Sequence, residues 1–119
     1  MKKTLILGAT TKPERYAYRA TLALRAQDYP VALVGIHPGT VDGVLIQTDQ
    51  QLVADVDTVT LYVGPANQPA WYDFVLALRP RRLLFNPGTE NAELARLAQA
   101  NGILTEEACT LVLLATGQY

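Results

Sequence analysis

A chain of 119 residues, half of them hydrophobic and with a formal net charge of −1, has the size of one domain and enough apolar surface to build a core. The near-neutral balance sets up no overall field for nucleic acid, and a single cysteine, Cys109, excludes an internal disulfide and fits a reducing cytoplasm. No apolar run approaches the ~20 residues of a membrane span, and the one after Lys2-Lys3 stops at Ala9, short of a signal-peptide core. A cytoplasmic domain over 1–119, without membrane or nucleic-acid partners, is the expectation.

In chain order, strand-like runs fall at residues 4–8, 31–36, 58–63 and 82–86, with a shorter one near 103–105. The middle three are rich in Val, Leu, Ile, Tyr or Phe, as expected when helices cover both faces of a parallel sheet. Helical spacing fills the gaps. Residues 15–27 place Ala20, Ala23, Leu24 and Gln27 on one side, and 69–78 do the same with Trp71, Phe74, Val75 and Leu78, stopping before Pro80. Residues 91–100 align Leu94, Leu97 and Ala98, with Gly102 closing the helix. The stretch 41–52 is less regular, and a short edge strand at 44–46 and a brief helix near 49–53 are expected there. The tail at 109–115 is read as a helix because it follows a strand directly. Alternation of this kind predicts α/β architecture: a doubly wound, three-layer, Rossmann-like fold with a mostly parallel sheet of five to six strands and right-handed crossovers.

Ligands of such sheets bind beyond the carboxyl ends of the strands. Four loops fall on that edge: Gly8-Ala9-Thr10-Thr11-Lys12-Pro13-Glu14-Arg15, His37-Pro38-Gly39, Gly64-Pro65-Ala66-Asn67-Gln68 and Asn86-Pro87-Gly88-Thr89-Glu90-Asn91. The first is a strand–glycine turn–helix element, which aims backbone N–H groups and the positive helix end at an anion. It lacks the second and third glycines of G-x-G-x-x-G, and the second strand ends without the carboxylate that would accept hydrogen bonds from an NAD ribose. His37 can instead meet a phosphate and Pro38 offers a flat apolar surface to adenine. A phosphorylated ribose, as in NADP or coenzyme A, fits these residues better than NAD.

These blocks, together with Asp57-Thr58-Val59-Thr60-Leu61-Tyr62-Val63 and Glu107-Ala108-Cys109-Thr110-Leu111-Val112, resemble the small stand-alone CoA-binding domain proteins, which are similar to the N-terminal Rossmann domain of the succinyl-CoA synthetase α subunit. The resemblance runs through essentially the whole chain. It implies that backbone amides and hydroxyls of Gly8, Ala9, Thr10 and Thr11, with Arg15, hold the pyrophosphate of CoA or an acyl-CoA, and that Pro38 and its neighbours border the adenine. It also implies that Tyr62, Val63 and Gly64 lie beside the ligand where it crosses the third strand. Lys12, His37, Asn86 and Pro87 complete the set of candidate ligand-binding residues. Two positions depart from the family pattern: Thr40 stands where related synthetase domains place a lysine near the 3′-phosphate, and Ala17 stands where relatives carry a serine.

Catalytic candidates are weaker. Cys109 follows Glu106-Glu107-Ala108, and adjacent carboxylates disfavour a thiolate, so a buried, inert thiol is the expectation. Glu90-Asn91 fits helix capping. Arg79, Arg81 and Arg82 surround Pro80 at the amino end of a strand and read as a solvated turn, and Trp71, Tyr72 and Phe74 read as core and helix surface. One histidine and one cysteine far apart make no metal site. The reading is a CoA-binding module without chemistry of its own, with a protein partner, and the choice between monomer and homodimer, left open. The alternatives are an enzyme or transferase component acting through Cys109 or Glu107 on a CoA thioester, and a sensor of NAD(H).

Overall fold

The first strand, β1 (Thr4–Leu7), is buried at every position and sits at the centre of a seven-stranded sheet in the computed structural model, which describes residues 2–119. The remaining strands are β2 (Val31–Val34), β3 (Thr40–Val41), β4 (Val44–Gln47), β5 (Thr58–Leu61), β6 (Arg82–Phe85) and β7 (Leu104–Glu107), in the spatial order β3-β4-β2-β1-β5-β6-β7. All neighbours are parallel except the β3–β4 pair. The sheet thus has seven strands rather than five to six, the addition being β3, whose two residues form a hairpin with β4. Asp42-Gly43 makes that turn with both residues at positive φ (50° and 79°), the conformation that a two-residue hairpin of matching twist requires.

Side-chain alternation along the strands divides the core between the two faces. Leu5, Leu7, Val59, Leu61, Leu83 and Phe85 face one layer, made by α2 (Tyr72–Ala77) and α3 (Ala92–Ala100), through Phe74, Val75, Leu94 and Ala98. Ile6, Leu33, Ile46 and Leu84 face the other, made by α1 (Tyr16–Ala26) and α4 (Thr110–Ala115), through Ala17, Leu24, Leu113 and Leu114. Both helical layers follow from the 3.6-residue spacing of these apolar positions. The Asn91 side chain caps α3 by accepting from the N–H groups of Glu93 and Leu94, and Gly102 follows that helix at φ +74°. The helix expected at 69–78 is a 3-10 turn (Pro69–Trp71) running into α2.

Two expectations fail. No helix forms near 49–53. The Gln47 side chain donates instead to the carbonyls of Asp49 and Gln51, and the Asp49 carboxylate accepts from the Gln51 N–H, which holds the segment as a turn. Arg82 is not part of a solvated turn: it is the first residue of β6 and is buried. Its guanidinium lies 4.5 Å from the centre of the Tyr119 ring, and Nε donates to Thr58 Oγ1 at 3.1 Å. Tyr119 in turn bonds Thr4 Oγ1 through its hydroxyl and packs edge-on against Tyr29. Register explains this, since Arg82 pairs with Thr58, which pairs with Thr4, so three polar side chains share one row on the α4 side. Arg81, pointing the other way, remains exposed and bonds Asp57. Partial burial pushes the Asp57 carboxyl upward, but hydrogen bonds from Arg81 and Thr58, with the Arg81 and Arg82 charges, bring it below the usual range. No helix among the described residues is long and apolar enough to cross a membrane.

Candidate functional site

A cleft of about 1080 Å³ opens along the carboxyl ends of the central strands. It brings together most of the residues expected from sequence: Gly8, Ala9, Thr10, Thr11, Lys12 and Arg15 from the first loop, His37 from the second, Tyr62, Val63 and Gly64 from the third, and Pro87 from the fourth. The arrangement is dictated locally. Gly8 turns the chain at φ +98°, where a Cβ would stand 2.8 Å from the carbonyl oxygen of Tyr62. Gly35 lets the carbonyl of Ala9 pass where a Cβ would come within 2.4 Å. The two glycines allow the loop to cross tightly between β5 and β2 before entering α1.

At the mouth of α1 the local chemistry favours an anion. Arg15 is the N-cap residue and provides no side-chain cap, and the first turn holds no acidic residue. The leading N–H groups of the helix are therefore left without a side-chain cap at the positive end of the helix dipole, where the cleft opens. Lys12 and Arg15 add two cations, and Tyr16 rests its ring 5.4 Å from the guanidinium of Arg19.

Not every predicted contact is available. The N–H groups of Gly8 and Ala9 both donate to the carbonyl of Val34, at 2.9 and 3.0 Å, so these two residues shape the cleft with their backbone but do not present amides to a ligand. Pro38 lies outside the cleft and is exposed. The Gly39 carbonyl accepts from Ile46 N–H at 2.8 Å, which draws the chain away toward β3. Asn86 also lies outside it. Its side chain is 2% exposed and fully engaged, donating to Thr60 Oγ1 (2.6 Å) and the Leu61 carbonyl (2.8 Å) and accepting from the Thr110 N–H (2.9 Å). Cys109 is half-buried rather than buried; it is the N-cap residue of α4 and does not line the cleft.

The candidate set left out Tyr16, Ala17, Gly35, Ile36, Asn67, Ala70, Trp71, Gly88 and Thr89, all of which line the cleft. A glycine inside a strand-like run was the available signal for Gly35, because it marks close approach of another backbone. Trp71, expected as core or helix surface, serves two surfaces at once: it packs on the core, edge-on to Phe74 with ring centres 5.8 Å apart, and it lines the cleft.

Tyr62 forms part of the floor. Its hydroxyl is buried with no hydrogen-bond partner among the described residues, and burial pushes its pKa from 10.0 up to about 12. An unfolded tyrosine loses its proton above pH 10 and the folded one only near 12, so the folded state binds more protons in that interval. Stability should therefore fall as pH rises from about 10 to 12, by on the order of 2 kcal/mol from this group. Urea midpoints measured across that range should show the decline, and Tyr62→Phe should reduce it, leaving the part contributed by the buried Tyr119, whose pKa burial also raises. An equal decline in the variant would assign the effect to another group.

The whole-chain comparisons agree with this architecture. A family model described as a CoA binding domain matches residues 2–115. A solved structure of an uncharacterized protein is 46% identical and superposes with a TM-score of 0.98, over 100% of this chain and 98% of its own. A cell-free-produced protein from Thermus thermophilus (24% identity, TM-score 0.87, 99% and 90% covered) and a hypothetical protein from Pyrococcus horikoshii (23%, 0.85, 93% and 80%) share the fold. No curated protein matches significantly. With a match over residues 2–115, and a doubly wound sheet whose central loops meet in one cleft, this chain belongs to the CoA binding domain family.

Proposed function

We propose that the protein binds coenzyme A or an acyl-CoA in this cleft, as a binding module with no covalent chemistry of its own. The observation that carries the reading is the uncapped start of α1, whose first turn holds no acidic residue and which is flanked by Lys12 and Arg15, opening into a cleft of about 1080 Å³. The diphosphate sits on the N–H groups of the first turn, with the hydroxyls of Thr10 and Thr11 beside it. The adenosine lies toward Ile36 and His37, and His37 donates a hydrogen bond to the 3′-phosphate. Pro38 and Asn86 take no part. Support for the absence of chemistry comes from the lining, which includes neither Cys109 nor any carboxylate.

Ligand binding to the folded state alone stabilises it by RT ln(1 + [L]/Kd), about 2.7 kcal/mol at a hundredfold excess over Kd. Thermal unfolding followed with increasing CoA should show a rising Tm, and dephospho-CoA should raise it less. His37→Ala should narrow that difference. An unchanged Tm at millimolar CoA in low salt overturns the proposal.

A further inference from the structure

The cleft has two chemically different halves. Over β1 and α1 it carries Lys12 and Arg15; over β5 and β6 its lining residues, among them Val63, Ala70, Trp71 and Pro87, are uncharged. In sheets of this topology the adenosine of a dinucleotide-like ligand is held beside the second strand, and the rest runs toward the strands on the other side of the first. The thiol end of the ligand therefore belongs in the uncharged half, a placement that rests on the CoA reading.

The walls of that half are fixed. The buried Gln68 side chain donates to the carbonyls of Val63 (2.9 Å) and Thr89 (2.7 Å) and accepts from Asn91 Nδ2 (2.9 Å), tying the third loop to the fourth. The Trp71 indole is backed by Phe74. No charged side chain lines this half, but a carboxylate stands beside it, outside the lining. Glu90 Oε1 accepts from the Gly88 N–H at 2.9 Å, occupying the amide that an incoming anion would need. Glu93, bonded by the Tyr72 hydroxyl at 2.9 Å, places a second carboxylate at the same loop–helix junction.

We propose that this half accepts the uncharged, apolar chain of a monocarboxylic acyl thioester and disfavours acyl groups that end in a carboxylate. Each methylene buried against Trp71 and its neighbours is worth about fourfold in affinity, and a terminal carboxylate brought near Gly88, whose N–H holds the Glu90 carboxylate, loses about threefold at low salt. Calorimetric titration with CoA, butyryl-CoA and succinyl-CoA at low ionic strength tests this, with Trp71, the one tryptophan in the chain, reporting occupancy of the far half by fluorescence. Butyryl-CoA should bind about tenfold tighter than succinyl-CoA and shift Trp71 emission beyond the change caused by CoA. Glu90→Gln, which keeps an acceptor for Gly88, should recover about threefold for succinyl-CoA. Succinyl-CoA binding as tightly as butyryl-CoA, butyryl-CoA no tighter than CoA, or an unchanged gap in Glu90→Gln would each overturn the acyl preference while CoA binding stands. Failure of all three ligands to bind would remove the CoA reading and this inference together.

Discussion

Replacing Asn86 with alanine is expected to lower folding stability by about 3–5 kcal/mol, although the residue touches no part of the cleft. The reason is the number of buried groups it satisfies. Its amide supplies the donors for the Leu61 carbonyl and Thr60 Oγ1, and its carbonyl is the acceptor for the Thr110 N–H, the first of α4. Thr60 and Thr110 are further joined hydroxyl to hydroxyl at 2.8 Å. Truncation strands a carbonyl and an N–H away from water, each at about 1–3 kcal/mol, and leaves a cavity between β5, β6 and α4. Asn86→Asp discriminates the mechanism. Its carboxylate can still accept from Thr110 but faces the Leu61 carbonyl with no proton to donate. Protonation returns that donor, so the folded pKa of the new carboxyl is raised, and the variant's deficit should shrink as pH falls toward the acid range. Urea denaturation of the three proteins at pH 5 and pH 7 measures both effects. A midpoint for Asn86→Ala close to that of the parent would show that the bonds among Asn86, Thr60 and Thr110 are not what holds α4 to the sheet.

These buried polar side chains also mark where sequence reading stops. The apolar runs of β1, β2, β5 and β6, the spacing of α1 and α3, the Asn91 cap and Gly102 are local patterns, and all are legible because the physics that sets them is local. The alternation of Thr58 and Thr60 with Val59 and Leu61 was a local signal too: two hydroxyls on one face of a buried strand require partners. Those partners, Arg82, Asn86, Thr110 and Tyr119, come from distant parts of the chain through strand register, which no window of sequence contains. The same limit explains Arg82, whose neighbours in sequence suggest solvent and whose neighbours in space are Thr58 and Tyr119. At the site, the fold class was enough to put four loops on one edge. Which amides those loops keep free was not readable, because Gly8 and Ala9 spend theirs on Val34 of the adjacent strand. Asp42-Gly43, by contrast, is a hairpin signature in plain view, obscured only by the two-residue length of β3.

Gly8→Ala is expected to damage stability and ligand binding together, and the geometry separates it from an ordinary glycine substitution. At φ +98° an alanine is strained by about 1–2 kcal/mol, and its Cβ would stand 2.8 Å from the oxygen and 2.9 Å from the carbon of the Tyr62 carbonyl. Neither neighbour can yield freely, because Tyr62 N–H is bonded to Leu7 and Gly8 N–H to Val34. Overpacking against fixed backbone adds about 1–3 kcal/mol, for a total loss of about 2–5 kcal/mol. Relief of the contact has to move the loop outward, carrying Thr10 through Lys12 away from the start of α1, so CoA affinity should fall at least about tenfold even at temperatures where the variant is folded. Gly64→Ala provides the control. Gly64 lines the same cleft at φ −62°, and a Cβ there meets nothing within 4 Å, so its stability should stay within about 0.5 kcal/mol of the parent. Denaturation midpoints with CoA titrations on both variants decide the matter. Loss of stability in Gly8→Ala with undiminished CoA binding would mean that the first loop supports the fold but does not hold the ligand.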